Sequence, residues 1–133
     1  MNKEQKGKVG MENKTPADLR SRTSDFALQI VRLYSSLPKT TEAQVLGKQV
    51  LRSGTSVGAN YREGHRAKSD PDMVNKFGSV LQELDETDYW LDLLVRAGIV
   101  SAQKVGALIE ETNELIAIFT TIVTKIKKRM NKR

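Results

Sequence analysis

Residues 51–64 read LRSGTSVGANYREG and place three glycines among hydroxyl-bearing and charged side chains. Gly54-Thr-Ser-Val-Gly58 has a superficial likeness to a phosphate-binding loop, but no Gly-Lys-Ser or Gly-Lys-Thr follows it and no strand is predicted before it. On a helix, Gly47, Leu51, Gly54 and Gly58 instead share one face. Interior glycine costs about 1 kcal/mol relative to alanine, so a row of them indicates close helix packing. We therefore interpret Gly47, Gly54 and Gly58 as helix-packing residues.

Apolar residues recur at helical spacing on both sides of this stretch, and nothing alternates long enough to predict a strand. Four helices are predicted, at about residues 21–37, 41–63, 71–97 and 102–130. Short connections make successive helices antiparallel, so the sequence predicts an all-α domain, an antiparallel four-helix bundle over 18–133. Residues 1–17 are polar and without periodicity, and they are interpreted as a flexible tail.

Particular residues mark the predicted helix boundaries. Thr41 opens a capping-box pattern at the start of the second helix, and Gly64 is available to end that helix. Asp70 is predicted to cap the third helix ahead of Pro71, and Gly98 to stop it.

The chain is basic, with a formal net charge of +6 over 133 residues, and it contains no cysteine. A basic chain favours polyanionic partners such as RNA or DNA, or an acidic protein. The lack of cysteine excludes disulfides, thiolate metal sites and cysteine nucleophiles. No apolar run is long enough for a membrane span, and no secretory signal precedes the first helix, so we expect a soluble cytoplasmic protein with no membrane role.

Positive charge is concentrated after the opening stretch and at the end of the chain, and an acidic block lies between them. We predict that phosphate groups are bound by seven of these basic residues: Arg62, Arg66, Lys68, Lys125, Lys127, Lys128 and Arg129. The same dipolar pattern suits self-association equally well, so both interpretations stay open at this point.

Catalytic and metal sites find little support in the sequence. Ser53 or Ser56 with His65 and Asp70 has the residue types of a nucleophilic triad, but a triad is defined by geometry and not by proximity along the chain. His65 is the only histidine and is interpreted as a surface or interface residue. One histidine without cysteine is a poor zinc site, and no Glu-x-x-His motif is present. We expect no enzymatic activity, no cofactor and no metal.

Polar residues of the second and third helices form a set of complementary charges and hydrogen-bonding groups: Arg52, Asn60, Glu63, Glu83 and Glu86. We predict polar contacts among them, either between helices of one bundle or across subunits, with Arg52 or Arg62 pairing to a carboxylate of the third helix.

Tyr89 and Trp90 lie beside the main apolar stripe of the third helix, because adjacent residues are about 100 degrees apart around a helix. Aromatic residues of this kind are enriched at interface centres, so both are candidates for a self-association surface. The alternative is a bundle edge covered by the same chain.

Three stretches resemble a known family: QIVRLYSSLP (29–38), GKQVLRSGTSVGANYREGHRAKS (47–69) and ELDETDYWLDLLVRAGIV (83–100). They are similar to the small bacterial four-helix-bundle proteins called intervening-sequence proteins of 23S ribosomal RNA, over about residues 25–128. The resemblance implies a ring-like homopentamer without established enzymatic activity. It also implies kinship with the accessory protein of diversity-generating retroelements, a basic pentamer that partners a reverse transcriptase and nucleic acid.

Two functions follow as expectations. The first is a noncatalytic oligomeric module that binds RNA or DNA through basic surfaces. The second is a protein-interaction scaffold with no role in nucleic-acid binding, in which the charged ends serve solubility and assembly.

Overall fold

The computed structural model describes residues 16–132, which form four α-helices and no strand. The helices are α1 (Pro16–Ser36), α2 (Thr41–His65), α3 (Asp70–Arg96) and α4 (Ala102–Asn131). Each helix packs against the next along the chain, and α2 against α3 most extensively. The predicted fold class, an all-α four-helix bundle, is confirmed. Most of the predicted tail lies outside the described residues.

The core is built from the apolar stripes that the spacing predicts. Fully buried side chains come from all four helices and meet along the bundle axis: Phe26, Ile30, Val50, Val57, Val80, Leu84, Leu91, Leu94, Val105, Leu115 and Phe119. Burying a side chain of this size stabilises the fold by about 1.5–3 kcal/mol relative to leaving it exposed. The core therefore extends through the length of the bundle and fixes how the helix ends are arranged.

Two helix caps lie one residue earlier than predicted. Thr40 caps α2 and Ser69 caps α3, each accepting a hydrogen bond from a backbone N–H in the first turn. Both have the extended backbone that a capping residue needs, whereas Thr41 and Asp70 are already helical. Ser101 caps α4 in the same way.

The other boundaries are set by packing and by backbone conformation. The first helix begins at Pro16, ahead of the predicted start near 21. Gly64 was predicted to end α2, and this was wrong: α2 continues to His65, and Gly64 is buried inside it. A Cβ at Gly64 would lie 2.5 Å from the Phe77 ring, so the glycine allows α3 to approach. Gly98, with φ +73°, follows α3 and ends it as predicted.

The contact between α1 and α4 is the weakest of the four between neighbouring helices. It includes an ion pair in which Arg22 donates to both carboxylate oxygens of Glu111, at 2.5 and 3.1 Å. This bond to Glu111 raises the pKa of Arg22, so the guanidinium stays charged. In the described part of the chain, no helix is long and apolar enough to cross a membrane.

Candidate nucleic-acid interface

One end of the bundle brings together four segments that are distant in sequence. Because the helices alternate in direction, the start of α1, the end of α2, the start of α3 and the end of α4 meet there. We call this region the basic end and define it by six cationic residues: Arg62, Arg66, Lys68, Lys125, Lys127 and Lys128. All are exposed except Arg62, which is half-buried. The two basic groups of the sequence are thus parts of one surface.

A bidentate ion pair holds two of these segments together. Arg129 donates from Nε to Oδ2 of Asp70 at 3.0 Å and from Nη2 to Oδ1 at 2.7 Å. The bond joins the end of α4 to the start of α3 and raises the pKa of the Arg129 guanidinium. Arg129 was predicted to bind phosphate, but in the structure its charge is matched by a carboxylate of the same chain.

Within the described residues, the six cations that define the basic end have no carboxylate partner. Arg62 donates from Nη2 to the Ser24 hydroxyl at 3.1 Å, which fixes the side chain and leaves its charge unneutralised. Among residues 16–132, the ion pairs include none of the six residues that define the basic end. Such cations are available to a polyanion without the cost of breaking an internal pair.

Arg20 is a further cation at this end that sequence reasoning missed. It is exposed near the start of α1. Burial raises the pKa of the Tyr61 phenol, the positive charge of Arg20 opposes that shift and the negative charge of Asp18 adds to it, so both residues of α1 lie close to the end of α2. Only the bundle topology reveals this proximity, because nothing in the local sequence of α1 points to α2.

An aromatic cluster lies beneath the basic end. Tyr61 is near-parallel to Phe77, with ring centroids 6.0 Å apart, and near-parallel to His65, at 5.9 Å. Phe119 meets the edge of the Tyr61 ring at 5.8 Å. Tyr61, Phe77 and Phe119 are buried, whereas His65 is exposed. The cluster thus reaches the surface at one imidazole, among the cations.

The glycine row of α2 faces α1 and not a ligand. A Cβ at Gly54 would lie 2.7 Å from Ile30, and one at Gly58 would lie 3.3 Å from Thr23. Gly47 faces the C-terminal part of α1. The opening stretch is therefore helix surface that allows α1 to come close, with no phosphate loop.

In the middle of α2, away from the basic end, Arg52 pairs with carboxylates of the same chain. Arg52 donates to Glu86 at 3.1 Å and to Glu83 at 3.5 Å. Burial raises the pKa of the Glu83 carboxyl, and its hydrogen bond with Glu86 adds to this shift. Arg52 therefore has carboxylate partners on α3 within its own chain.

The other two polar residues of α2 also have partners within the bundle. Lys76 donates to Glu63 at 3.2 Å, which links α3 to α2. Asn60 donates to the Ser56 carbonyl oxygen at 3.1 Å, one turn earlier on the same helix. Both side chains therefore have hydrogen-bond partners within the same chain.

A buried hydroxyl pair beside Arg52 was not predicted. Thr87 donates to the Ser53 Oγ at 2.9 Å, and both residues are fully buried between α2 and α3. Both lie at positions that follow the apolar spacing of their helices, which is the only signal in the sequence. The pair replaces an apolar contact with a directional bond, so it fixes the register of the two helices.

Tyr89 and Trp90 form a separate surface on α3. Tyr89 is 55% exposed, and its ring lies 4.9 Å from that of the half-buried Trp90. The Trp90 Nε1 atom is buried without a hydrogen-bond partner in the described part of the chain. Burial raises the pKa of the neighbouring Asp88 carboxyl, and the charges of Asp92 and Asp85 raise it further. This face is acidic and apolar, unlike the basic end.

The residues considered for catalysis are engaged elsewhere. Ser53 is buried against Thr87, and Asp70 binds Arg129. His65 stacks on Tyr61. Within the described residues, no cluster of three or more histidine or acidic side chains could hold a metal ion.

Comparison with known proteins adds a family and a solved structure. The family model described as "23S rRNA-intervening sequence protein" matches residues 17–121. A crystal structure from Bacteroides thetaiotaomicron VPI-5482, of a protein with unknown function from the S23 ribosomal protein family, is 35% identical. Its TM-score is 0.77, over 82% of this chain and 97% of that chain. No curated protein matches the chain. The range of the family model includes Arg62, Arg66 and Lys68 and ends before Lys125.

Proposed function

The chain belongs to the 23S rRNA-intervening sequence protein family, and from this premise we propose that it is a noncatalytic oligomeric module that binds RNA or DNA through the basic end. The main support is the collection of six cations, without carboxylate partners among residues 16–132, where the ends of four helices meet. The family name points to ribosomal RNA, but the chemistry of these side chains suits any phosphate backbone.

Phosphate contacts of this kind carry little sequence information. Lysine and arginine that neutralise backbone phosphates release bound counterions, so the logarithm of the binding constant falls by about 0.9 per contact for each tenfold rise in salt. Such contacts fix the orientation of a nucleic acid without reading its bases. Binding is therefore weakly sequence-specific and steeply salt-dependent.

The oligomeric part of the proposal uses the Tyr89 and Trp90 face of α3. Tyr89 is 55% exposed beside the half-buried Trp90, and aromatic side chains of this kind are enriched at interface centres. A ring of copies would also present several basic ends to one polyanion, which raises the overall affinity through effective concentration. Light scattering tests the assembly: a monomer at micromolar concentration contradicts it.

The binding test compares two variants of equal charge. The first replaces three lysines of α4 with alanine: Lys125, Lys127 and Lys128. The control removes three lysines from the opposite half of the bundle: Lys39, Lys48 and Lys104. The probe is a structured RNA, and a DNA duplex of similar size is measured beside it at two salt concentrations.

We expect the α4 triple variant to lower the salt slope by about 3, while the control stays close to the unmodified protein. An equal loss of salt slope in both variants would mean that only the net charge of the protein matters, and it would contradict a localised interface. No saturable binding at low salt, to either probe, would reject the nucleic-acid function.

A protein-interaction scaffold is the second candidate, and the acidic and aromatic face of α3 is the observation that favours it. Exposed Tyr89 beside carboxylates suits a basic protein partner as well as a second copy. Co-purification from native lysate with and without nuclease separates the two functions. A stoichiometric protein that stays bound after nuclease treatment, together with no RNA or DNA binding by the purified chain, would favour the scaffold.

A further inference from the structure

His65 is the one exposed aromatic ring at the basic end within the described residues. The other aromatic side chains that reach this end, Tyr61, Phe77 and Phe119, are 0–4% exposed and belong to the core. The sequence predicts only that His65 is a surface or interface residue, and phosphate binding by the six cations does not use it. Its ring is nevertheless held in a defined position.

The position of the His65 ring is set by the core beneath it. Tyr61, one turn earlier on α2, lies near-parallel to it with an angle of 9° between the rings. Phe77 lies near-parallel to Tyr61 in turn, at 11°, and the Phe119 edge closes the cluster. Because buried rings hold Tyr61, an i,i+4 contact with it restricts the imidazole before any ligand arrives. Little conformational entropy is then lost on binding.

Three cations lie near this ring along the chain. Arg62 precedes it on the last turn of α2, Arg66 follows it as the C-cap, and Lys68 lies in the connection to α3. We infer that the His65 imidazole is a stacking platform for an unpaired nucleobase, with the phosphates on either side of that base held by the neighbouring cations. The inference rests on the proposed function and makes it specific: the favoured ligand carries single-stranded or bulged nucleotides.

Stacking on aromatic side chains is the usual way in which proteins hold unpaired bases, and histidine is among the residues that serve. Each such contact accounts for about 1–3 kcal/mol on substitution by alanine and tolerates any base, because every base has a π face. Tyr89 is also exposed, but the carboxylates of Asp85, Asp88 and Asp92 around it repel phosphate. Among the described aromatic residues, His65 alone combines exposure with positive surroundings.

Three substitutions of His65 test the platform. His65→Ala removes the ring, His65→Gln keeps a polar side chain without a ring, and His65→Phe keeps a ring without the imidazole. The probes are a short single-stranded RNA that carries a fluorescent adenine analogue quenched by stacking, and a blunt-ended duplex of the same length. Circular dichroism checks that each variant retains its helices.

On the single strand, we expect the Ala and Gln variants to bind about 5- to 100-fold more weakly and to lose the quenching. The Phe variant should stay within about twofold of the unmodified protein and keep the quenching. Binding to the blunt duplex, and the salt slope on both probes, should be unchanged in all three.

Three results separate this inference from the function on which it rests. Unchanged single-strand affinity in His65→Ala, while the α4 lysine triple variant still weakens binding, would overturn the platform and leave the nucleic-acid function in place. Equal weakening on strand and duplex would also overturn the platform, because the effect would then not depend on an unpaired base. Loss of all saturable binding in the unmodified protein would reject the proposed function itself.

Discussion

Arg52 and Arg62 lie on the same helix, and the structure gives them opposite surroundings. Arg52, in the middle of the bundle, faces the carboxylates of Glu83 and Glu86 on α3. Arg62, at the basic end, donates to the neutral hydroxyl of Ser24. The first charge is matched within the chain, and the second is positioned without being matched. Two arginines in one short stretch of sequence therefore have different functions available to them.

The same contrast extends to the groups around each arginine. In the middle of the bundle, a buried hydroxyl pair joins α2 to α3 beside the Arg52 ion pairs. At the basic end, α2 and α3 are joined by ring packing over Gly64 and by the Lys76–Glu63 pair, while the lysines that define this end form no ion pair within residues 16–132. We conclude that a buried polar bond joins the helices in the middle, whereas ring packing and the exposed Lys76–Glu63 pair join them at the end, where the six cations that define it form none of the ion pairs among residues 16–132.

The largest expected effect concerns packing at the basic end. Gly64→Ala places a methyl group 2.5 Å from the Phe77 ring and 2.7 Å from a second atom of that ring, which is buried and cannot turn away. We expect a loss of about 1–3 kcal/mol in the free energy of unfolding, measured in urea. Gly78→Ala is the control: nothing lies within 4 Å of its added methyl, so it should stabilise α3 by up to about 1 kcal/mol. Equal effects of the two substitutions would contradict packing support at the end.

The next effect concerns the buried hydroxyls in the middle. Ser53→Ala removes the Oγ that accepts from Thr87, and we expect a loss of about 1–2 kcal/mol in the free energy of unfolding. Thr121→Ala is a control, because the Thr121 hydroxyl donates to the carbonyl oxygen of Ala117 in its own helix and is exposed. A change of less than a few tenths of a kcal/mol in the Ser53 variant would show that the pair does not set the register.

The fold was predictable from spacing because the core stripes of all four helices are local patterns. The family was also predictable from its three stretches, and the match over 17–121 confirms it. Cap positions were less accurate, since Thr40 and Thr41, or Ser69 and Asp70, are adjacent residues that can all cap a helix. Backbone conformation decides between such neighbours, and sequence patterns do not resolve it at a single residue.

Long-range pairing in the candidate site was beyond the reach of local patterns. The role of Gly64 depends on Phe77 of the next helix. The role of Arg129 depends on Asp70, which is distant in sequence, at the start of α3. Sequence reasoning found the basic residues by their number and clustering. It could not separate those with carboxylate partners from those without, because that distinction is made by the arrangement of helices in space.

The third effect sharpens the comparison of the two arginines directly. Arg62→Ala should lower the salt slope of RNA binding by about 1, because one unneutralised phosphate contact is lost. Arg52→Ala should leave the slope unchanged, since its charge already pairs with Glu86 and Glu83. Salt titrations of the two variants, side by side, provide the measurement. A lowered slope in both variants would mean that Arg52 is also available to phosphate.

We expect Arg52 to contribute instead to the stability of the middle of the bundle. A double-mutant cycle of Arg52→Ala and Glu86→Ala should give a coupling of about 0.2–1 kcal/mol, because more than a third of each side chain is exposed and solvent screens the pair. Strictly additive losses of unfolding free energy would contradict an interaction between Arg52 and Glu86. Thermal unfolding of the two single variants and the double variant measures the coupling.

The smallest effect is a pH dependence in the middle of the bundle. Burial raises the pKa of Glu83, so the folded chain favours the neutral carboxyl more than the unfolded chain does. Ionisation of this group then lowers stability as pH rises from the ordinary glutamate pKa, about 4.3, through the raised folded value. Glu83→Gln mimics the neutral form and escapes this loss. Relative to the unmodified protein, the variant should gain a few tenths of a kcal/mol in unfolding free energy between about pH 4 and pH 7. A loss of unfolding free energy in the Glu83→Gln variant would mean that the ion pair with Arg52 outweighs burial. The pair would then stabilise the ionised carboxylate, which glutamine cannot replace.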